Sequence, residues 1–222
     1  MTNDKKDESS PFGKTEALRF FGTITASVTH ELNNILSIVD QSAGLIEDFL
    51  AMPDSMALTE EKLKQIIGKI RKNSQRGIGV VKHLNTFAHS TDEPEAAFEA
   101  NIMLENWGAL IKRFADLKAV ITEMNLPSAS LRIKADAYLV RKILFDAFWQ
   151  LLALAQKNDI LKISLSSENT DAVIIMEGKL AEAKGGLDNT YLENITTFAG
   201  GKFNSVVEGT GIICYFRFPP AG

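Results

Sequence analysis

The sequence predicts an α+β protein, a long helical hairpin followed by an α/β sandwich, and three observations carry that reading. Apolar residues at three-four spacing run through two long segments before residue 90. A polar break, Ser90-Thr91-Asp92-Glu93-Pro94-Glu95, then ends the pattern. Beyond it helical and β-type periods alternate, as when helices lie on one face of a sheet. The expected parts are a disordered tail over 1–11, the hairpin over 12–90 and the sandwich over 96–222. With 222 residues, 45% of them hydrophobic, each folded part can bury a core.

The first helix is expected from about Phe12 to Met52. Phe21, Thr25, Val28, Leu32, Ile35, Val39, Ser42, Ile46 and Phe49 form a heptad seam, and Ile24, Ile38 and Leu45 widen it. Met52-Pro53-Asp54-Ser55 stops the helix, because proline disfavours helical geometry in the residue before it. Thr59 with Glu60 and Glu61 starts a second one, a hydroxyl and two carboxylates suited to orphan amides and the helix dipole. Its apolar positions are Leu63, Ile66, Ile70, Ser74, Gly77, Val81, Leu84 and Ala88. Gly77 and Gly79 each weaken it by about 1 kcal/mol relative to alanine, and close helix packing is their expected reason. A two-helix hairpin cannot cover so wide a stripe, so a homodimer closing a four-helix bundle is expected.

The sandwich reads in order as a helix over Ile102–Leu117, an extended stretch over Ala119–Leu126 and a helix over Ala137–Ala155. Strands follow at Ile160–Ser166 and Val173–Met176, then a short helix at Tyr191–Phe198 and strands at Phe203–Val207 and Ile212–Phe218. The Ala137–Ala155 helix is apolar on nearly all sides, which places Phe145, Phe148 and Trp149 in the core. Cys214 alternates with Ile212 and Phe216 and reads as a small buried hydrophobe, whereas Trp107 fits either core or inter-domain packing.

Composition excludes several function classes. One cysteine rules out an internal disulfide framework and a multi-cysteine zinc site. A net charge of −4 argues against nucleic-acid binding. The longest apolar run, Ile143 to Ala155, is interrupted by Asp146 and Gln150 and is too short to span a bilayer. The start, MTNDKKDESS, has no apolar signal region. The expected location is the cytoplasm.

Chemistry is expected opposite the seam of the first helix. His30 lies roughly 160 to 200 degrees around the helix from Val28 and Leu32, so it points to solvent. Thr23, Ser27, His30, Asn34, Ser37 and Gln41 make a polar stripe. An exposed imidazole beside the carboxylate of Glu31 suits nucleophilic work at neutral pH. The carboxamide of Asn34, one turn on, can position a water or a phosphoryl oxygen. Zinc hydrolysis fits poorly: the paired-histidine pattern needs a second histidine four positions on, where Asn34 stands.

Ser27-Val28-Thr29-His30-Glu31-Leu32-Asn33-Asn34-Ile35-Leu36 resembles the H-box of two-component sensor histidine kinases, and Arg76-Gly77 with Leu84-Asn85-Thr86-Phe87-Ala88 resembles their return helix. The resemblance implies that His30 is a phosphoacceptor and Glu31 its acid–base partner. Glu31 and Asn34 match the acid and amide that the family uses to dephosphorylate its partner. The second half resembles the family's ATP-binding domain without the nucleotide boxes. The two asparagines that would hold phosphate and magnesium fall on Asp146 and Gln150. Met176-Glu177-Gly178-Lys179-Leu180 replaces the adenine motif, Gly178 and Gly186 leave no room for a lid, and Gly186-Leu187-Asp188-Asn189 puts a carboxylate where phosphates would approach.

This pattern resembles the ChpT-like histidine phosphotransferases, dimeric proteins with a degenerate ATPase-like domain. It implies phosphate exchange between His30 and response-regulator receiver domains, with no cofactor of the chain's own and magnesium on the receiver. Ser27 and Ser37 near His30, and Arg76 and Lys82 on a second helix rich in Lys62, Lys64, Lys69, Arg71 and Lys72, are the expected partner contacts. The competing readings are a response-regulator phosphatase, a non-catalytic pseudokinase and an ATP-dependent kinase.

Overall fold

The computed structural model describes residues 13–51, 59–92, 96–181 and 186–221. The expected disordered tail and the Pro53 stop lie outside them. Helix α1 (Lys14–Ala51) and helix α2 (Glu60–Ala88) form the hairpin. Thr59 caps α2, its hydroxyl accepting from the Lys62 amide at 3.3 Å. Ile24, Val28, Ile35 and Ser42 of α1 are buried, as are Ile66 and Phe87 of α2. Gly77 faces α1: a Cβ there would lie 3.4 Å from Ile35 Cγ2. Gly79 has no such reason, since a Cβ would meet nothing within 4 Å.

The stripe is wider than the hairpin's own seam. Phe21, Leu36, Leu45 and Leu50 on α1 and Ile67, Ile78 and Val81 on α2 remain exposed. Phe20, not Phe21, is the buried aromatic of the first turns, because the sandwich covers the Phe20 side of α1.

The sandwich opens with β1 (Ala97–Glu99), α3 (Ala100–Leu117) and β2 (Ile121–Asn125). Then come β3 (Arg132–Lys134), α4 (Ala137–Leu154), β4 (Ile160–Glu168) and β5 (Asp171–Lys179). The chain closes with α5 (Asn189–Phe198), β6 (Lys202–Glu208) and β7 (Gly211–Phe218). Five strands form one sheet in the order β2-β4-β5-β7-β6. β2 runs parallel to β4, with α4 in the crossover between them. The remaining pairs are antiparallel. β1 and β3, unanticipated by periodicity, pair separately with Phe98 opposite Ile133. Strict alternation buries Leu161, Ile163 and Leu165 of β4 and Ile212, Cys214, Phe216 and Phe218 of β7 beneath the helices. Burial pushes the Cys214 thiol pKa up to about 12.

Trp107 is core, 1% exposed, its indole N–H donating to the Arg141 carbonyl at 3.2 Å. Trp149 departs from expectation. It is 48% exposed, stacked on Phe145 and edge-on to Phe114, because α4 carries more apolar surface than α3 and the sheet cover. The hairpin and sandwich meet at Phe20, whose ring lies 5.4 Å from Phe87, 5.6 Å from Tyr138 and 5.0 Å from Phe145. The Tyr138 hydroxyl donates to the Ala17 carbonyl at 2.8 Å, and His83 Nδ1 bonds Asn106 Oδ1 at 2.7 Å.

Candidate functional site

On α1 the register that buries Val28 and Ile35 turns His30 outward. His30 is exposed and has no hydrogen-bond partner among the described residues. Asn34, one turn on, is also exposed. Glu31 faces α2 instead: its Oε1 accepts from Arg76 Nη2 at 3.0 Å across the hairpin. Ser27 is buried at 9% exposure, whereas Ser37 is exposed with its hydroxyl donating to the Asn33 carbonyl at 2.8 Å. Lys82 is exposed. The structure thus brings His30 and Asn34 together on open surface and sets Glu31 and Arg76 beside them as an ion pair.

The second candidate region is the face of α4 on which the nucleotide boxes were expected, and its polar groups bond one another. Asp146 accepts from Lys142 Nζ and, at 2.7 Å, from the Tyr191 hydroxyl. Burial is the main force holding the Asp146 carboxyl above its ordinary pKa, against the lowering pull of Lys142 and Tyr191. Burial and the bond to Asp146 raise the Tyr191 phenol as well. Gln150 Oε1 accepts from the Asp188 amide at 2.7 Å, and the Asp188 carboxylate accepts from the Tyr191 amide at 3.0 Å. The start of α1 lies alongside, so that Glu16, Arg19, Phe20, Lys142, Asp146 and Trp149 share one shallow groove.

Lys142 and Tyr191 escaped the sequence reading, because their bonds to Asp146 join a helix to the start of another far along the chain. Among the described residues no cluster of His, Cys, Asp or Glu could hold a metal ion, and no helix is long and apolar enough to cross a membrane.

No protein-family model matches the sequence, and no curated protein matches it. Solved structures are similar in fold. The nucleotide-free catalytic domain of histidine kinase ThkA matches 58% of this chain and 100% of its own at 15% identity, with a TM-score of 0.51. The sandwich has the fold of a histidine kinase catalytic domain. Longer matches are weaker in shape. The histidine kinase AdeS of Acinetobacter baumannii is similar over 87% of this chain and 98% of its own, at 15% identity and TM-score 0.48. ThkA in complex with the response regulator TrrA covers 94% of this chain and 64% of its own, at 18% identity and TM-score 0.49.

Proposed function

We propose that this protein is a histidine phosphotransferase of a two-component phosphorelay. It takes a phosphoryl group onto His30 from the aspartyl phosphate of one receiver domain and gives it to another, without ATP. The observation that carries the reading is the contrast between an open imidazole on α1 and a nucleotide face whose polar groups are bonded to one another.

The chemistry asks little of the chain. A ring nitrogen of His30 attacks phosphorus, the bond to the aspartyl oxygen breaks, and aspartate leaves as a carboxylate while the imidazole releases its other ring proton. Magnesium would be held by the receiver's residues and would supply charge neutralisation there. On this chain, the exposed Asn34 one turn from His30 supports a role in bonding a phosphoryl oxygen, and the basic second helix supports steering of an acidic partner. A homodimer is part of the proposal. The exposed Ile78 and Val81 continue the three-four spacing of a bundle seam, and Val81→Glu is expected to shift the protein toward monomer in sedimentation velocity.

The test uses receiver domains carrying radioactive phosphate, mixed with the wild type and with His30→Ala. Acid-labile label on the wild type alone is the expected result. Free phosphate with no label on this chain would make the protein a phosphatase relying on Asn34. Receivers that keep their label would make it a pseudokinase.

A further inference from the structure

The Arg76–Glu31 pair ties the residue next to His30 to the opposite helix, with the Glu31 side chain 22% exposed and that of Arg76 58% exposed. On α1, Glu31 lies about 100° around from His30, on the side of α2. The groove it lines also contains Ser27, His83 and Lys112. The other charged and titratable groups there are engaged elsewhere. Lys112 Nζ donates to Asp116 Oδ1 at 2.9 Å, and His83 Nδ1 is bonded to Asn106 Oδ1. Arg76 is therefore the cation that sets the direction of the Glu31 carboxylate.

We propose that Arg76 is a positioning residue that holds Glu31 away from His30 and so prolongs the life of a phosphoryl group carried there. The inference rests on the reading of His30 as a phosphoacceptor. In the reaction being suppressed, a water oxygen attacks phosphorus and the phosphorus–nitrogen bond breaks. The ring nitrogen keeps the electron pair, and a nearby carboxylate takes the proton that the water gives up. Glu31, one residue from His30, is the carboxylate best placed for that role once its side chain is released. Accepting a hydrogen bond from the Arg76 guanidinium occupies the carboxylate and turns it toward α2. Asn34 can orient a water but cannot take its proton.

Phosphoramidate, a small phosphodonor that needs no receiver, loads the histidine, and phosphorus NMR follows its decay, with His30→Ala identifying the signal. Arg76→Gln is expected to lose the phosphoryl group roughly two- to fivefold faster, the rate equivalent of an exposed ion pair. Arg76→Lys, which keeps the cation, stays near the wild-type rate. Glu31→Gln and the double variant Glu31→Gln/Arg76→Gln decay alike. Wild-type decay in Arg76→Gln, or acceleration that survives in the Glu31→Gln background, overturns the proposal. A labelled His30 with unaltered decay removes this inference alone, whereas a His30 that phosphoramidate never labels removes the phosphoacceptor reading with it.

Discussion

His30 and Asn34 face water; around Asp146 the polar side chains face one another. His30 has no partner among the described residues, and Asn34 beside it stands on open surface. At the other region Lys142, Asp146 and Tyr191 form one bonded group, and Gln150 and Asp188 form a second. Both regions are helix faces with similar residue types, so composition does not separate them. Burial does. A buried polar group left without a partner costs about 1–3 kcal/mol, so the Asp146 cluster has to satisfy itself, whereas water satisfies the exposed groups at no such cost. The difference teaches where chemistry can be carried: an exposed nucleophile is available to a partner, and a bonded carboxylate is not.

The largest effects are expected where the two halves share a core. Phe20→Ala removes the ring caged by Phe87, Tyr138 and Phe145 and should cost about 3–5 kcal/mol in urea denaturation. A loss below about 1 kcal/mol would mean that the hairpin and sandwich fold independently of this contact. Asp146→Ala removes the carboxylate that accepts from both Lys142 and Tyr191 in a largely buried cluster, and a cost of about 1–3 kcal/mol is expected.

Asp146→Asn probes the same cluster by pH. The folded Asp146 pKa lies above its unfolded value because the site is buried. Its contribution to stability is therefore complete below the ordinary carboxylate range and is lost as pH rises through the raised value. Asp146→Asn, which cannot ionise, should lose less stability than the wild type over that rise. Parallel pH profiles for the two proteins would show that the carboxyl is solvated as in the unfolded chain.

Much of the hairpin is legible because amphipathic periodicity is a local property. The cap at Thr59 and the outward direction of His30 both follow from spacing along one helix. Which aromatic ring is buried does not, since Phe20 and Phe21 both lie on a wide stripe and only the sandwich decides between them. The β1–β3 pair is three residues on each side, too short to display a period. The β4–β5 turn hides for a different reason: Asn169 and Thr170 both take positive φ, 49° and 77°, with no glycine to mark them. Trp149 shows the limit of reading an all-round apolar helix as fully buried, because coverage depends on what else the fold can bring to it. The candidate site divides in the same way. The resemblance finds His30, Glu31 and Asn34 on one helix, while the Arg76–Glu31 pair spans 45 positions and emerges only when the hairpin closes.

Smaller effects sharpen the contrast between the regions. Tyr191→Phe keeps the ring and removes one donor to Asp146, for an expected loss of about 1–2 kcal/mol. Gln150→Ala frees the Asp188 amide at the exposed end of the cluster and should cost about 1 kcal/mol or less. Binding of a fluorescent ATP analogue by Gln150→Ala and not by the wild type would count against the proposal of a chain that works without nucleotide.

The smallest stability change belongs to the residues with the largest proposed role. His30→Ala and Asn34→Ala remove exposed groups without burying or orphaning anything, so each should lie within about 0.5 kcal/mol of the wild type. Neither outcome is trivial, because alanine also favours an interior helix position over histidine or asparagine by a few tenths of a kcal/mol. A slight stabilisation is therefore the expected sign, alongside complete loss of phosphotransfer for His30→Ala. Stability gained where activity is lost is what a residue kept for chemistry produces, and a destabilised His30→Ala would mean that the imidazole is holding the bundle together instead.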